Sequence, residues 1–172
     1  EGYLSLVKKA LFSSKKDRFI SKNPPNTGRI KLILEMFPNA KFIFIHRDPM
    51  ETYMSTTSFI KKTMVLPKLQ DISDKELKRN IHWQYFKLMN SYIKNKPLIP
   101  KENLIEIRFE EFEKQPLQHI EEIYKQLRIP GFSKAENIFK EYIERKKSHE
   151  RKNYHIPKQI QSEIYQSWQF AF

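Results

Sequence analysis

The chain has 172 residues, enough for one domain with a hydrophobic core, and its 39% hydrophobic and 13% aromatic content excludes a disordered or fibrous polypeptide. Lys and Arg number 32 against 20 Asp and Glu, and the formal charge of +12 favours anionic, phosphate-bearing partners through a long-range attractive field. Cysteine is absent, which excludes disulfides, thiolate zinc sites and cysteine nucleophiles together; no run approaches about 18 apolar residues, the opening EGYLSLVKKALFSSKK is too charged for a secretory leader, and the expected location is cytoplasmic.

No repeat or low-complexity linker divides the chain, and residues 1–172 read as a single domain. Leu4, Val7, Ala10 and Leu11 recur at helical spacing. Arg18 to Lys22 (RFISK) then reads as a short strand ending at Asn23-Pro24-Pro25. Thr27 to Phe37 predicts a helix with Ile30, Ile33, Leu34 and Phe37 on one face, stopped by Pro38-Asn39. Lys41 to Ile45 is apolar at successive positions, as expected of a strand in a parallel sheet covered on both faces. Asp48, Pro49 and Glu51 then supply an N-cap, a first-turn proline and an N3 acid, so the next helix begins at once and runs to about Lys61.

Downstream, Ser73 with Glu76 and Ser133 with Glu136 are capping-box signatures. Asn103 to Phe109 (NLIEIRF) predicts a third strand, followed by a helix from Pro116 to Leu127 with Ile120, Ile123, Tyr124 and Leu127 inward, and a last helix follows Pro157. This order implies an α/β fold with a parallel sheet, helices on both faces and right-handed crossovers. In such sheets ligands sit beyond the carboxyl ends of the strands, which is where Arg47 falls.

A helix N-terminus carries unsatisfied N–H groups and partial positive charge, so an anion is welcome there. Arg47 adds a forked cationic donor, and Ser55, eight residues on, adds a hydroxyl. The alternative is that Arg47 pairs with Asp48 or Glu51 and that Ser55 only faces a neighbouring helix. Elsewhere, His46 lies beside the Arg47 edge, whereas His82 and His119 fall in helical patterns without metal spacing, so no metal is expected. The aromatic residues Trp83, Tyr85, Phe86 and Tyr92 are expected mostly in the core. Basic residues are scattered over nearly every helix, without a recognition-helix, RNP or zinc-finger pattern, so nucleic acid is not the expected partner.

FPNAKFIFIHRDPMETYMS, with its serine eight residues after the arginine, resembles the 3′-phosphoadenosine motif of the PAPS-dependent sulfotransferases. SKNPPNTGRI is similar to the K-x-P segment of the bacterial-type branch, IRFEEFEKQP to its Y-E-D-L-x-x-x-P segment, and YHIPKQIQSEIYQSWQFAF to its closing tryptophan-bearing helix. The resemblance implies a P-loop-NTPase-like sulfotransferase fold, PAPS as co-substrate, and sulfuryl transfer to a hydroxyl or amine acceptor. It places the 3′-phosphate on Arg47 and Ser55, makes Arg151 and Lys152 of a late basic segment candidates for closing over the nucleotide, and makes Lys22 a candidate partner of the transferring group. Three departures matter. The P-K/R-S-G-T-T loop that holds the 5′-phosphosulfate is not found, so the chain is expected to carry the C-terminal portion of the fold and to need that loop for transfer. Asn26 stands near where many relatives have histidine; an amide can position a hydroxyl but cannot take its proton. Phe109 stands where relatives often have tyrosine, able to pack near adenine but not to hydrogen-bond to it. The alternative to an enzyme is a non-catalytic, phosphate- or nucleic-acid-binding basic domain.

Overall fold

The computed structural model describes residues 2–63, 70–146 and 156–171. Among the described residues the sheet has two strands, β1 (Phe42–His46) and β2 (Leu104–Arg108), paired in parallel from Phe42 opposite Leu104 to His46 opposite Arg108. Parallel pairing obliges the chain to cross back between them. Helices α3 (Pro49–Thr63) and α4 (Asp74–Asn95) make that crossing. Before β1 come α1 (Gly2–Ser14) and α2 (Ile30–Met36); after β2 come α5 (Phe109–Phe112), α6 (Pro116–Gln126), α7 (Phe132–Lys146) and α8 (Lys158–Ser167).

In-register residues of a parallel pair share a face, so Phe42, Phe44 and Leu104 lie together, packed with Leu34 against buried Ile30, Tyr92 and Ile99. On the opposite face Ile105 and Ile107 are buried against Ile123 and Leu127, the latter following α6. The helices therefore flank both faces of the sheet. A third core joins Tyr53, Leu77, Ile81, Ile164 and Trp168 of the α3, α4 and α8 region. Each fully buried aliphatic or aromatic side chain there contributes about 1.5–3 kcal/mol relative to exposure.

Several expectations need correction. Arg18 to Lys22 is not a strand: it has no neighbour in the sheet, Ile20 is mostly exposed, and Ser21 accepts hydrogen bonds from Tyr3 and Asn26 instead. β1 is covered on the Phe44 face, but Ile43 and Ile45 are 46% and 47% exposed, because α6 packs on the β2 half of that face. Ser133 does not cap α7. The helix already starts at Phe132, after Gly131 turns the chain at φ +96, and Glu136 instead pairs with Lys140 at 2.7 Å. Trp83 and Phe86 are exposed, because the buried stripe of α4 is set by Leu77, Ile81 and Tyr92, and Trp83 stands only two positions from Ile81.

Candidate functional site

Only Arg47 and Asp48 separate the end of β1 from the start of α3. Pro49 pre-sets the first helical φ, and Asp48 Oδ1 accepts from the amides of Met50 at 2.8 Å and Glu51 at 3.1 Å. The Asp48 carbonyl accepts from Thr52 N at 2.9 Å and Thr52 Oγ1 at 3.0 Å. The Asp48 amide itself donates 3.0 Å to Glu110 Oε1, just past the end of β2. The amides of Asp48, Met50 and Glu51 are therefore already engaged by carboxylates. This corrects the expectation of an open amide nest at the start of α3, and leaves side chains as the main donors an anion would meet.

Arg47 is the chief of these. Its guanidinium carbon lies 4.6 Å from the centroid of the Phe109 ring, a cation–π contact that holds the fork over the ring at β2's exit. Its Nε donates to Glu51 Oε2 at 2.8 Å, and both side chains remain about a third exposed, so this pair contributes only about 0.3–0.5 kcal/mol. The ion-pair alternative is thus realised through Nε, while the two Nη groups retain their own donors. Glu51 and Ser55, four apart, share one stripe of α3, with Ser55 half-buried, and Arg47, two residues before the helix, reaches that stripe through its contact with Glu51. Arginine and serine are brought onto one face, with an acid between them.

Glu110 is held below the usual carboxylate range: burial alone would raise it, but the hydrogen bonds from the Asp48 amide and its own amide, and the charges of Arg108 and Arg47, outweigh that. Its other oxygen, Oε2, is buried without a hydrogen-bond partner among the described residues. From α4, Tyr85 comes near enough to Asp48 that its hydroxyl is pushed up to about 12, by burial first and by the Asp48 charge second. His46 turns to the opposite side, stacked 6.0 Å from Phe44 and away from Arg47's face of the turn.

Of the other predicted residues, Asn26 is half-buried in the 3₁₀ turn Pro24–Gly28 and donates from Nδ2 to Ser21 Oγ at 3.1 Å, leaving its Oδ1 as an acceptor, while Lys22 is exposed. That turn is fixed on α4. Ser91 Oγ donates to the Gly28 carbonyl at 3.0 Å, and a Cβ on Gly28 would meet Leu88 Cδ2 at 3.1 Å, so glycine permits the approach. Among the described residues, no hydrogen bond joins this turn to Arg47 or Ser55. Arg151 and Lys152 lie outside the described residues. An open cleft of about 520 Å³ between α4 and α8, lined by Lys75, Lys78, Arg79, His82, Glu163 and Ser167 among others, contains none of the predicted residues.

Sequence reasoning missed Glu110 as a site residue, because its bond to Asp48 spans 62 positions and no local pattern announces it. It anticipated Phe109 as a packing surface, but for a base and not for the guanidinium of Arg47.

A family model described as the sulfotransferase family matches residues 5–134, a span that includes Lys22, Asn26, Arg47, Ser55 and Glu110. The omega-hydroxy-beta-dihydromenaquinone-9 sulfotransferases Stf3 of Mycobacterium bovis and Mycobacterium tuberculosis are each 32% identical over 113 residues, 66% of this chain and 29% of theirs. The chain thus spans less than a third of the length of these curated relatives. The crystal structure of sulfotransferase STF9 from Mycobacterium avium superposes with a TM-score of 0.65 at 18% identity, over 88% of this chain and 41% of that one, a likeness of fold.

Proposed function

This chain belongs to the sulfotransferase family, and on that premise we propose that it supplies the 3′-phosphate half of a PAPS-dependent sulfotransferase site, in one domain. The observation that carries the reading is the placement of Arg47 just past the carboxyl end of β1, against the Phe109 ring and paired with Glu51, one turn from Ser55 on α3. A phosphate fits this donor set: the Nη pair offers a bidentate charged fork, and the serine hydroxyl offers a neutral donor beside it.

PAPS, when bound, provides the activated sulfuryl group; the remaining chemistry falls to side chains. Arg47 and Ser55 would bind and orient the nucleotide through its 3′-phosphate. Lys22 would neutralise charge near the leaving phosphate, and Asn26, with Nδ2 committed to Ser21, would accept from the acceptor's hydroxyl through Oδ1 and orient it. Asn26 cannot be the base, so the proton leaves to a group outside this set. Arg151 and Lys152 would close over the nucleotide phosphates. The Stf3 relatives are named for a hydroxylated dihydromenaquinone, which supports a hydroxyl over an amine as the acceptor.

Calorimetric titration tests this reading against the basic-domain alternative. Adenosine 3′,5′-bisphosphate should bind more tightly than adenosine 5′-phosphosulfate, which lacks the 3′-phosphate, and should persist at moderate salt. Binding to mixed-sequence DNA should fall steeply over the same salt range. Equal affinity for the two nucleotides, or salt-resistant DNA binding, would overturn the proposal.

A further inference from the structure

The two strands end level, His46 opposite Arg108, and their register continues beyond the backbone ladder as side-chain contacts. One step on, Arg47 faces Phe109, with the guanidinium 4.6 Å from the ring centroid. Two steps on, Asp48 faces Glu110, the amide of the first donating 3.0 Å to Oε1 of the second. Asp48 is in turn the cap of α3, through Met50 N and Glu51 N, so Glu110 holds the residue that holds the helix.

We propose that Glu110 is a positioning residue for the phosphate site: it clamps the Asp48 amide from the neighbouring strand, and thereby fixes the turn that lays Arg47 on Phe109 and aims its free donors at the ligand. The proposal rests on the 3′-phosphate reading above. It assigns a favourable role to a carboxylate near an anion site, where charge alone would predict the reverse. An ionised Glu110 lowers the local positive potential, so a purely electrostatic effect of removing it would be tighter phosphate binding. A positioning role predicts weaker binding when the acceptor oxygen is lost, because the freed turn no longer presents the arginine in one geometry.

Three variants separate these effects. Glu110→Ala removes the acceptor; Glu110→Met also removes it while keeping length and packing, which covers the case in which the alanine variant fails to fold; Glu110→Gln keeps an oxygen acceptor for the Asp48 amide and removes only the charge. Each is titrated with adenosine 3′,5′-bisphosphate and adenosine 5′-phosphosulfate, and the Arg47 Nε–H resonance is followed by NMR without nucleotide. Loss of the acceptor in Ala or Met should weaken the bisphosphate roughly three- to tenfold, leave the phosphosulfate nearly unchanged, and shift the Arg47 resonance. Glu110→Gln should keep the wild-type resonance and bind the bisphosphate as well as wild type or better. Tighter binding in all three variants, or an Arg47 resonance that does not move in Ala and Met, would overturn the positioning role. If the wild-type chain itself shows no preference for the 3′-phosphorylated nucleotide, the functional reading falls, and the Arg47 resonance still decides what Glu110 does.

Discussion

Replacing Arg47 by alanine removes three things whose sizes can be separated. The cation–π contact with Phe109 at 4.6 Å is worth about 0.5–1 kcal/mol at a partly exposed site, and the 2.8 Å pair with Glu51 about 0.3–0.5 kcal/mol. Together they predict a stability loss near 1 kcal/mol, small enough for the chain to stay folded. The third is the contact with a 3′-phosphate. Charge-assisted hydrogen bonds to an anion contribute roughly 1.5–3 kcal/mol, so Arg47→Ala should weaken adenosine 3′,5′-bisphosphate by one to two decades in calorimetry. Arg47→Lys should recover only part of that, since a point charge does not reproduce the fork. Ser55→Ala, which removes a neutral donor, should cost less than Arg47→Ala. Adenosine 5′-phosphosulfate is the control: neither Arg47→Ala nor Ser55→Ala should change its binding much. If Arg47→Ala weakened both nucleotides equally, or melted the chain without changing affinity, Arg47 would be a structural partner of Phe109 and Glu51 and nothing more.

The acid between arginine and serine leads to a second expectation. Glu51→Gln removes a negative charge and a competitor for the guanidinium, and should tighten bisphosphate binding by about two- to fivefold, read in the same titration. Trp168 is 1% exposed and stacks on Tyr85 at 3.9 Å, so Trp168→Ala should cost about 3–5 kcal/mol in denaturant unfolding, with α8 released from α3 and α4. Glu106 supplies a pH test. Burial tends to raise its carboxyl, but hydrogen bonds from Lys96 and Tyr92 and the charges of Lys96 and His46 more than compensate, so its pKa is lowered on folding. A group lowered on folding stabilises above its unfolded pKa and loses that contribution as pH falls through the folded value. Melting temperature should therefore decline below about pH 4.5, and Glu106→Gln should flatten this part of the profile; an unchanged acid limb would remove Glu106 from the account.

What the sequence determined by itself lies within a few residues of where it is written. The Asp48-Pro49 start of α3 and the Ser73–Glu76 capping box both form as read, because a cap is a hydrogen bond between groups three positions apart or fewer. The parallel strands at Phe42–His46 and Leu104–Arg108 were legible for a similar reason: short β-branched and aromatic runs favour extended backbone, although which of their residues are covered, with Ile105 and Ile107 buried and Ile43 and Ile45 about half exposed, was left to the packing of the helices. Where the outcome depended on a distant partner, local pattern failed. Arg18 to Lys22 has the composition of a strand, yet a strand exists only where a neighbour completes its ladder; none does among the described residues, and the Ser21 hydroxyl accepts from Tyr3 and Asn26. An aromatic helix pattern predicts Trp83 and Phe86 in the core, but which face of α4 is buried was decided by where α3 and α8 came to rest against it. At the candidate site the division is sharpest. The sequence placed a cationic fork at the end of a strand and a local cap after it; the pairing of β1 with β2, by bringing Glu110 to an amide 62 positions away, decided that the Asp48 amide would also be taken by a carboxylate and that the fork would lie on Phe109. Register transmits position across a sheet with the precision of a hydrogen bond, and register is a property of two strands that neither contains alone.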